Sequence, residues 1–183
     1  MIPLSTLRNL HANHPAAILG GGTSLSGDMA RLPRDCVLIA VNDHAFHIGV
    51  EPDYMVVMDD PKIKPKLFDL STNWRGGLRV NELLQYSDVD MRGVPRPDMR
   101  TGQFSTWLAM YFGCNPILLC GMDLYTNEVK YCHPFDEFMG HKKIFDEPLQ
   151  DHLQAWRKLK SYKGHQHIRA VSGPLTQIFG AYK

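Results

Sequence analysis

The sequence lacks the features that mark membrane-spanning, secreted and disulfide-stabilised proteins. Its apolar runs are all shorter than the roughly 18 residues of a membrane-spanning helix, so no span is expected. The residues from Met1 to Ser5 do not form the charged start and apolar core of a signal peptide. None of the four cysteines belongs to a CxxC pair, which argues against a disulfide framework and a structural zinc site. These absences favour a reducing cytoplasm.

The chain also has little net charge. Its 20 Lys and Arg residues are balanced by 19 Asp and Glu residues, for a formal charge of +1. Nucleic acid is therefore not an expected partner, because a broad nucleic-acid surface usually needs a basic excess. With 183 residues, the chain is long enough to bury a core without disulfides or metal. We predict one compact domain over 1–183, and the sequence leaves a homo-oligomer open.

Short apolar runs alternate with helical patterns along the chain. Buried strands are predicted at 16–19, 37–41, 54–58, 116–120 and 167–171, with a further strand within 77–83. Helices are predicted at 4–13, 26–32, 104–112, 151–160 and 174–179, and a loop at 88–99. This alternation predicts an α/β, Rossmann-like fold in which helices cover both faces of a mostly parallel sheet.

Polar residues follow four of the predicted strands. In folds of this kind, ligands bind outside the carboxyl ends of the strands. Those ends carry Gly20–Ser24, Asn42-Asp43, Asp59-Asp60 and Gly121-Met122-Asp123. The recurrence of such residues at one edge of the sheet is the main evidence in the sequence for a binding site.

The first of these ends is the loop Gly20-Gly21-Gly22-Thr23-Ser24. Glycines after a strand allow a backbone to approach a phosphate or ribose, and Thr23 and Ser24 add hydroxyl donors. The loop is neither a GxGxxG nor a Walker motif. We interpret it as part of a nucleotide-type site. The alternative is a structural turn into a helix capped by Ser24 or Ser26.

Two more segments carry candidate binding residues. Arg100-Thr101-Gly102-Gln103 precedes a buried helix, where free amides attract anions and Arg100 adds charge; the alternative is a plain cap by Thr101. After the strand at 116–120, Asp123 is a candidate acceptor for sugar hydroxyls, and Tyr125 is a candidate to stack or donate. The alternative there is a turn with Tyr125 in the core.

Acidic and imidazole groups supply the remaining candidates. Asp59 and Asp60 end the third strand, where paired carboxylates suit Mg²⁺ bridging a pyrophosphate; the alternative is a turn before Pro61. His141 follows a polar loop and is a candidate general base, since imidazole titrates near neutrality. The alternative for His141 is a surface residue, and His44, His47 and His133 have the same standing. His165 and His167 are interpreted as surface residues of a loop and a strand.

Together these segments resemble the bacterial sialyltransferases of glycosyltransferase family 42. They also resemble the related domain of unknown function 115, which includes archaeal 6-hydroxymethylpterin pyrophosphokinases. The run from Ile18 to Leu25 is similar to the Gly-x-Gly-Pro-Ser-Leu opening, with Thr23 in place of proline. Val41-Asn42-Asp43 matches a segment whose asparagine lies near the nucleotide. The stretch from Glu51 to Asp59 looks more like the domain-115 pattern.

The second half of the chain resembles the sialyltransferases more than the domain of unknown function 115. Thr101-Gly102 aligns with their Ser-Gly before a buried helix, and 121–125 is similar to their Gly-Ile-Asp-Phe-Tyr. The segment 138–141 resembles their Tyr-x-Gly-His, whose histidine is the proposed general base. Phe138 replaces the tyrosine whose hydroxyl is thought to help the leaving phosphate. A lid in those enzymes corresponds to a short segment here, about 124–143.

The resemblance implies a glycosyltransferase-like enzyme that moves a sugar from a nucleotide-activated donor, such as a CMP-linked one, to a hydroxyl acceptor, with no required cofactor. The implied nucleotide-binding residues are Gly20, Gly21, Gly22, Thr23, Ser24, Asn42, Arg100, Thr101 and Gly102. The implied catalytic residues are Asp123, Tyr125 and His141. The first alternative is a pyrophosphokinase-like phosphotransferase whose Asp59 and Asp60 hold Mg²⁺. The second is a non-enzymatic nucleotide-binding or viral accessory protein. The implied setting is the cytoplasm of a bacterium or a phage-infected cell.

Overall fold

The structure is a computed structural model that describes residues 1–58, 74, 76–81, 87–92, 99–133 and 146–183. In these parts of the chain the strands are β1 (Ile2–Pro3), β2 (Ala16–Leu19), β3 (Val37–Val41), β4 (Tyr54–Val57), β5 (Leu78–Asn81), β6 (Val89–Asp90), β7 (Ile117–Cys120) and β8 (Ile168–Ala170). The α-helices are α1 (Leu25–Met29), α2 (Thr101–Tyr111), α3 (Leu149–Arg157) and α4 (Thr176–Phe179). Short 3-10 helices lie at Leu4–Leu7, Phe46–Ile48, Lys158–Ser161 and His165–His167.

Six strands form one parallel sheet in the order β5-β4-β3-β2-β7-β8. β2 is one of the two central strands, and its Ala16 lies opposite Val37 of β3 and Ile117 of β7. All four residues of β2 are buried, as expected of a strand covered on both faces. The predicted α/β fold with a parallel sheet is confirmed.

The strand order reverses beside β2. From β2 the chain adds β3, β4 and β5 on one side, and then β7 and β8 on the other. The connections on the two sides leave in opposite directions, so a crevice opens between the carboxyl ends of β2 and β7. Crevices at such reversal points are the usual ligand sites of open α/β sheets.

Helices cover both faces of the sheet. One face packs against α2, α3 and α4, and its core includes the fully buried Phe104, Leu108 and Phe112. The other face is lined by small side chains such as Ala17 and Ala40, and Leu25 of α1 packs there. Alternate residues of each strand serve the two faces because side chains alternate along a strand.

Two predicted segments differ from the structure. The helix predicted at 4–13 is limited to the 3-10 turn Leu4–Leu7, since Asn9 and Asn13 adopt left-handed backbone angles that no α-helix accommodates. The loop predicted at 88–99 contains β6, which pairs with β1 in a second, two-stranded parallel sheet. Strands of two residues carry too little periodicity to be read from sequence.

The cysteines are free thiols, and two of them are buried in the core. Burial is the main cause that raises the pKa of Cys114 to about 12, and it raises the pKa of Cys36 to about 12 as well. Thiols with raised pKa values are poor nucleophiles, so these cysteines act as small apolar side chains. Among the described residues, no helix is both long and apolar enough to cross a membrane.

Candidate functional site

A cleft lies at the carboxyl edge of the sheet, at the reversal point between β2 and β7. Its walls are formed by the loop after β2, the loop after β7 and the first turn of α2. His152 and Trp156 of α3 contribute a further wall. Two of the four strand ends that the sequence predicted to form a binding edge line this cleft, represented by Gly20–Gly22 and Asp123. Gly102, from the separately predicted helix start, lines it as well.

The three glycines of the loop are required by the protein's own packing. A Cβ atom on Gly20 would lie 2.6 Å from the carbonyl oxygen of Gly121. One on Gly22 would lie 2.6 Å from the Asp123 carboxylate, and one on Gly21 would lie 2.6 Å from the Tyr131 ring. Contacts this short are not found for real side chains. The glycines thus let the loop after β2 cross closely beside the loop after β7.

Most amide groups of the glycine loop already have partners. The amide of Gly20 donates to the carbonyl of Cys120 at 2.8 Å, and that of Gly22 donates to Gly121 at 2.7 Å. Within the described part of the chain, no hydrogen bond involves the amides of Gly21 and Thr23. These two amides are the ones that the loop can offer to a ligand.

Asp123 joins the two loops at the floor of the cleft. Its side chain is 95% buried, with a relative exposure of 5%. The carboxylate accepts hydrogen bonds from the Ser24 hydroxyl at 2.6 Å and from the Ser24 amide at 3.0 Å. It also accepts from the Thr23 hydroxyl at 3.2 Å and from Asn127 Nδ2 at 3.1 Å. These bonds position both loops; contact with a sugar hydroxyl stays a prediction.

A second buried carboxylate, Asp28, was not singled out from the sequence. Its Oδ2 atom accepts from the Gly121 amide at 2.9 Å, the Ser172 hydroxyl at 2.9 Å and the Ser24 hydroxyl at 3.1 Å. Asp28 therefore links α1 to the ends of β7 and β8. The one local sign was the spacing of Ser24 and Asp28, which puts them on the same side of a helix.

The first turn of α2 enters the cleft at Gly102 and Gln103. The Arg100 amide donates to Gln103 Oε1 at 3.0 Å, which fixes the start of the helix. The Arg100 guanidinium binds the Glu147 carboxylate at 2.7 Å and lies 3.1 Å from His152 Nδ1. Arg100 therefore lines the cleft, but its guanidinium already forms an ion pair with Glu147. Thr101 is the first residue of the helix rather than its cap.

The side-chain amide nitrogen of Gln103, Nε2, has no hydrogen-bond partner among the described residues. Its side chain is 96% buried, with a relative exposure of 4%, and it lines the cleft. While Oε1 accepts from Arg100, Nε2 has no hydrogen-bond acceptor among the described residues. A buried donor without a partner costs about 1–3 kcal/mol, so such a group calls for an explanation. Sequence analysis did not identify this residue as a ligand contact.

Aromatic residues form the outer wall of the cleft. Tyr125 lies edge-on to Tyr131 and to His152, with ring centroids 5.9 Å and 5.6 Å apart. Leu124 and Tyr125 both have left-handed backbone angles, so the chain turns sharply at these two residues. Lys130 Nζ donates to the Tyr125 carbonyl at 2.8 Å and also lines the cleft. Tyr125 is half-buried and lines the cleft; its role in stacking or hydrogen bonding to a ligand stays a prediction.

His152 is a cleft residue that sequence reasoning missed. It is buried on α3, on the same helical face as Trp156 four residues later. The available signal was a histidine within an otherwise apolar stripe that also contains Leu153. Such a pattern is more typical of a core position, and its neighbour Tyr125 comes from a loop 27 residues away in the chain.

Asn42 follows β3 in the left-handed conformation that asparagine tolerates. Its amide donates to Val56 at 2.9 Å, and its buried Oδ1 has no partner within the described ranges. The preceding residue, Val41, lines the cleft. The contact predicted between Asn42 and a nucleotide stays a prediction.

Three residues predicted to be functional lie outside the described residues, namely Asp59, Asp60 and His141. The described part of the predicted lid is 124–133. A different group could hold a metal, because ligand atoms of Asp43, His44 and His133 all lie within 4.8 Å of one another.

The carboxylate of Asp43 has a pKa below its usual value. Burial acts to raise this pKa, but the hydrogen bond from His47 and the charges of His44 and His47 outweigh it. The Asp43 carboxylate is therefore anionic at neutral pH.

No protein-family model matches the sequence, and no curated protein matches it. Solved structures do match. Sialyltransferase CstII from Campylobacter jejuni, in complex with cytidine-5'-monophosphate, has a TM-score of 0.61 at 15% identity, over 94% of this chain and 86% of that chain. The same enzyme with a trisaccharide acceptor and CMP has a TM-score of 0.57 at 14% identity, over 92% and 86%.

Monofunctional alpha-2,3-sialyltransferase Cst-I from Campylobacter jejuni has a TM-score of 0.61 at 18% identity, over 92% of this chain and 80% of that chain. The chain has the sialyltransferase fold. The resemblance drawn from short motifs in the sequence is confirmed at the level of the fold. In the sialyltransferase fold of this chain, the cleft at the reversal point brings together the glycine loop, Asp123 and the first turn of α2.

Proposed function

We propose that the chain is a sialyltransferase-like glycosyltransferase that binds a nucleotide-linked sugar in the cleft and transfers the sugar to a hydroxyl acceptor. The observation that carries the proposal is the unpartnered Nε2 of Gln103 in the wall of a cleft at the reversal point of the sheet. The fold is shared with sialyltransferases whose structures contain CMP. CMP is therefore the nucleotide that we assign to the donor.

The phosphate of the donor is assigned to the first turn of α2. The amides of this turn have no partners within the helix, and the helix dipole favours an anion there. Gln103 Nε2 adds a side-chain donor at the same place. A phosphate oxygen bound to Nε2 would remove the cost of the unpartnered buried donor, so the site is more favourable when occupied.

The glycine loop is assigned to the nucleoside part of the donor. Only the amides of Gly21 and Thr23 remain for a ligand among those described, and Gly21 lies in the cleft wall. Asp123 holds this loop in place, so we assign it a positioning role rather than a step in the chemistry. Tyr125 and Tyr131 supply flat apolar surface on which a base or sugar ring can pack.

The transfer step needs a base and compensation of the leaving group's charge. His141 takes the proton of the acceptor hydroxyl, whose oxygen then forms a bond to the anomeric carbon of the sugar. The bond from that carbon to the phosphate oxygen breaks, and CMP leaves with the electron pair. Lys130 brings a positive charge to the cleft, whereas Arg100 is already paired with Glu147. No step in this scheme requires a metal ion.

The proposal is tested by measuring release of CMP from CMP-linked sialic acid in the presence of glycan acceptors. We expect turnover by the wild-type chain and none by His141→Ala, while His141→Ala still binds CMP. His167→Ala is the control, because His167 is remote from the cleft and should retain wild-type turnover. Turnover by His141→Ala at the wild-type rate would remove His141 from the mechanism.

The same assay separates the two alternatives. EDTA-sensitive transfer of a diphosphate from ATP, lost in Asp60→Asn, would instead identify a Mg²⁺-dependent phosphotransferase. Binding of CMP without turnover of any donor would identify a nucleotide-binding protein that is not an enzyme.

A further inference from the structure

A group of imidazole rings and one carboxylate lies beside the cleft, at the turn after β3. His44 Nδ1 and His133 Nε2 are 2.8 Å apart. Asp43 Oδ1 lies 4.0 Å from His44 Nδ1, and Asp43 Oδ2 binds His47 Nε2 at 3.0 Å. None of these contacts belongs to the transfer step proposed above.

The fold brings these residues together from two separate parts of the chain. Asp43 and His44 follow β3 and lead into the 3-10 helix Phe46–Ile48. His133 lies further along the chain, beyond the loop that follows β7. The neighbouring Cys132 amide donates to the Gly21 carbonyl at 2.8 Å, which attaches this segment to the glycine loop. Two backbone-anchored segments therefore present their side chains to one point.

The spacing of the ligand atoms suits a small cation. In a tetrahedral zinc site, with Zn–N distances near 2.0–2.1 Å, neighbouring ligand atoms are about 3.3 Å apart. Two of the three ligand pairs are 2.8 Å and 4.0 Å apart, which brackets that value, and all three ligand atoms lie within 4.8 Å of one another. Side-chain rotation would bring the three atoms to tetrahedral spacing. At present one imidazole donates to the other; a change of tautomer would present both nitrogen lone pairs to an ion.

The surroundings hold these ligands in place. The Oδ2 atom of Asp43 is bound to His47, which leaves Oδ1 directed toward His44. The ring of His47 stacks on that of His133, with ring centroids 3.8 Å apart, and the ring of Tyr131 stacks on that of His44, with centroids 5.1 Å apart. Such outer partners orient ligands and sharpen metal affinity.

We propose that Asp43, His44 and His133 bind a transition-metal ion of the zinc class. Two imidazoles with one carboxylate favour zinc and its neighbours over Mg²⁺, which prefers oxygen ligands and water. Three protein ligands leave a fourth position for water or another ligand. The ion links the turn after β3 to the segment of Tyr131 and His133, and so holds Tyr131 against the cleft. This inference does not depend on the proposed sugar transfer.

The site is tested by titrating metal-stripped full-length protein with Co²⁺, whose visible absorption intensifies in four-coordinate sites, followed by displacement with Zn²⁺. We expect one equivalent to bind with that spectrum. His133→Ala should lower the affinity by more than about 100-fold, since it removes a ligand rather than an outer partner. His167→Ala, a change at a remote histidine, should leave the affinity unchanged.

His133→Cys distinguishes a metal ligand from a structural residue. A thiolate is a good zinc ligand, so this variant should regain tight Zn²⁺ binding if position 133 coordinates the ion. Circular dichroism of each metal-free variant checks that the fold is intact. The proposal is overturned if the wild-type protein binds Co²⁺ no more tightly than His133→Ala, or if His133→Cys fails to regain Zn²⁺ binding while folded.

Discussion

At the scale of single residues, two buried carboxylates fix the positions of the loops that form the cleft. Asp123 fastens the loop after β2 to the loop after β7, and Asp28 fastens α1 to the ends of β7 and β8. A carboxylate held by several donors is already committed to the protein. These hydrogen bonds fix the positions of the loops that it joins; contact of Asp123 with a sugar hydroxyl stays a prediction.

Asp123→Ala should lower the free energy of unfolding by about 2–3 kcal/mol, because the half-buried Ser24 amide loses its acceptor and the Ser24 hydroxyl keeps only Asp28. Urea denaturation measures this loss. Asn127→Ala is the matched control: it removes an exposed partner of the same carboxylate and should cost less than about 1 kcal/mol. Equal losses in the two variants would show that the buried carboxylate does not fasten the loops.

At the scale of elements, the glycine loop acts as a crossing point between two strand ends. From the sequence alone, its glycines were expected to let the backbone approach a phosphate or ribose, with a structural turn as the alternative. In the structure, a Cβ atom on these glycines would meet Gly121, Asp123 or Tyr131 of the protein itself. What the loop offers a ligand is narrower, namely the amides of Gly21 and Thr23.

Gly20→Ala should destabilise the protein by about 1–3 kcal/mol, because the new methyl group meets the backbone of Gly121, which cannot move away cheaply. Gly27→Ala is the contrasting change, since Gly27 is exposed in α1 and a Cβ there meets nothing within 4 Å. That variant should gain about 0.5–1 kcal/mol from helix propensity. Thermal unfolding of both variants checks the opposite signs; a neutral Gly20→Ala would contradict the crossing-point account.

Four strands of the main sheet, β2, β3, β4 and β7, could be predicted from sequence because each is a short, uninterrupted apolar run. The run at 16–19 is a good example, since all its side chains are buried in the structure. Arginine interrupts the apolar pattern of β5 and β8. The contacts that assemble the site could not be predicted. Asp28 and Ser172 are 144 residues apart, and His44 and His133 are 89 apart. Spacing along the chain carries no information about such pairs.

At the scale of the whole molecule, the reversal of strand order decides where a ligand can bind. The position of the cleft between β2 and β7 follows from the sheet order, and the sequence predicted the correct edge of the sheet from its polar turns. Asn42 and the glycine loop lie at that edge because they follow adjacent strands. The likeness to the sialyltransferases, at 14% to 18% identity, is a likeness of fold.

The central claim is that the cleft binds a nucleotide through the first turn of α2, and titration calorimetry with CMP tests it most directly. Gln103→Glu keeps the acceptor for the Arg100 amide but replaces the buried donor with a negative charge. We predict micromolar-range or tighter binding by the wild-type protein, and binding about 10- to 100-fold weaker in Gln103→Glu. Gln166→Glu, the same change on an exposed residue remote from the cleft, should bind like the wild type. Equal CMP affinity in all three proteins, or no binding by any, would contradict the account.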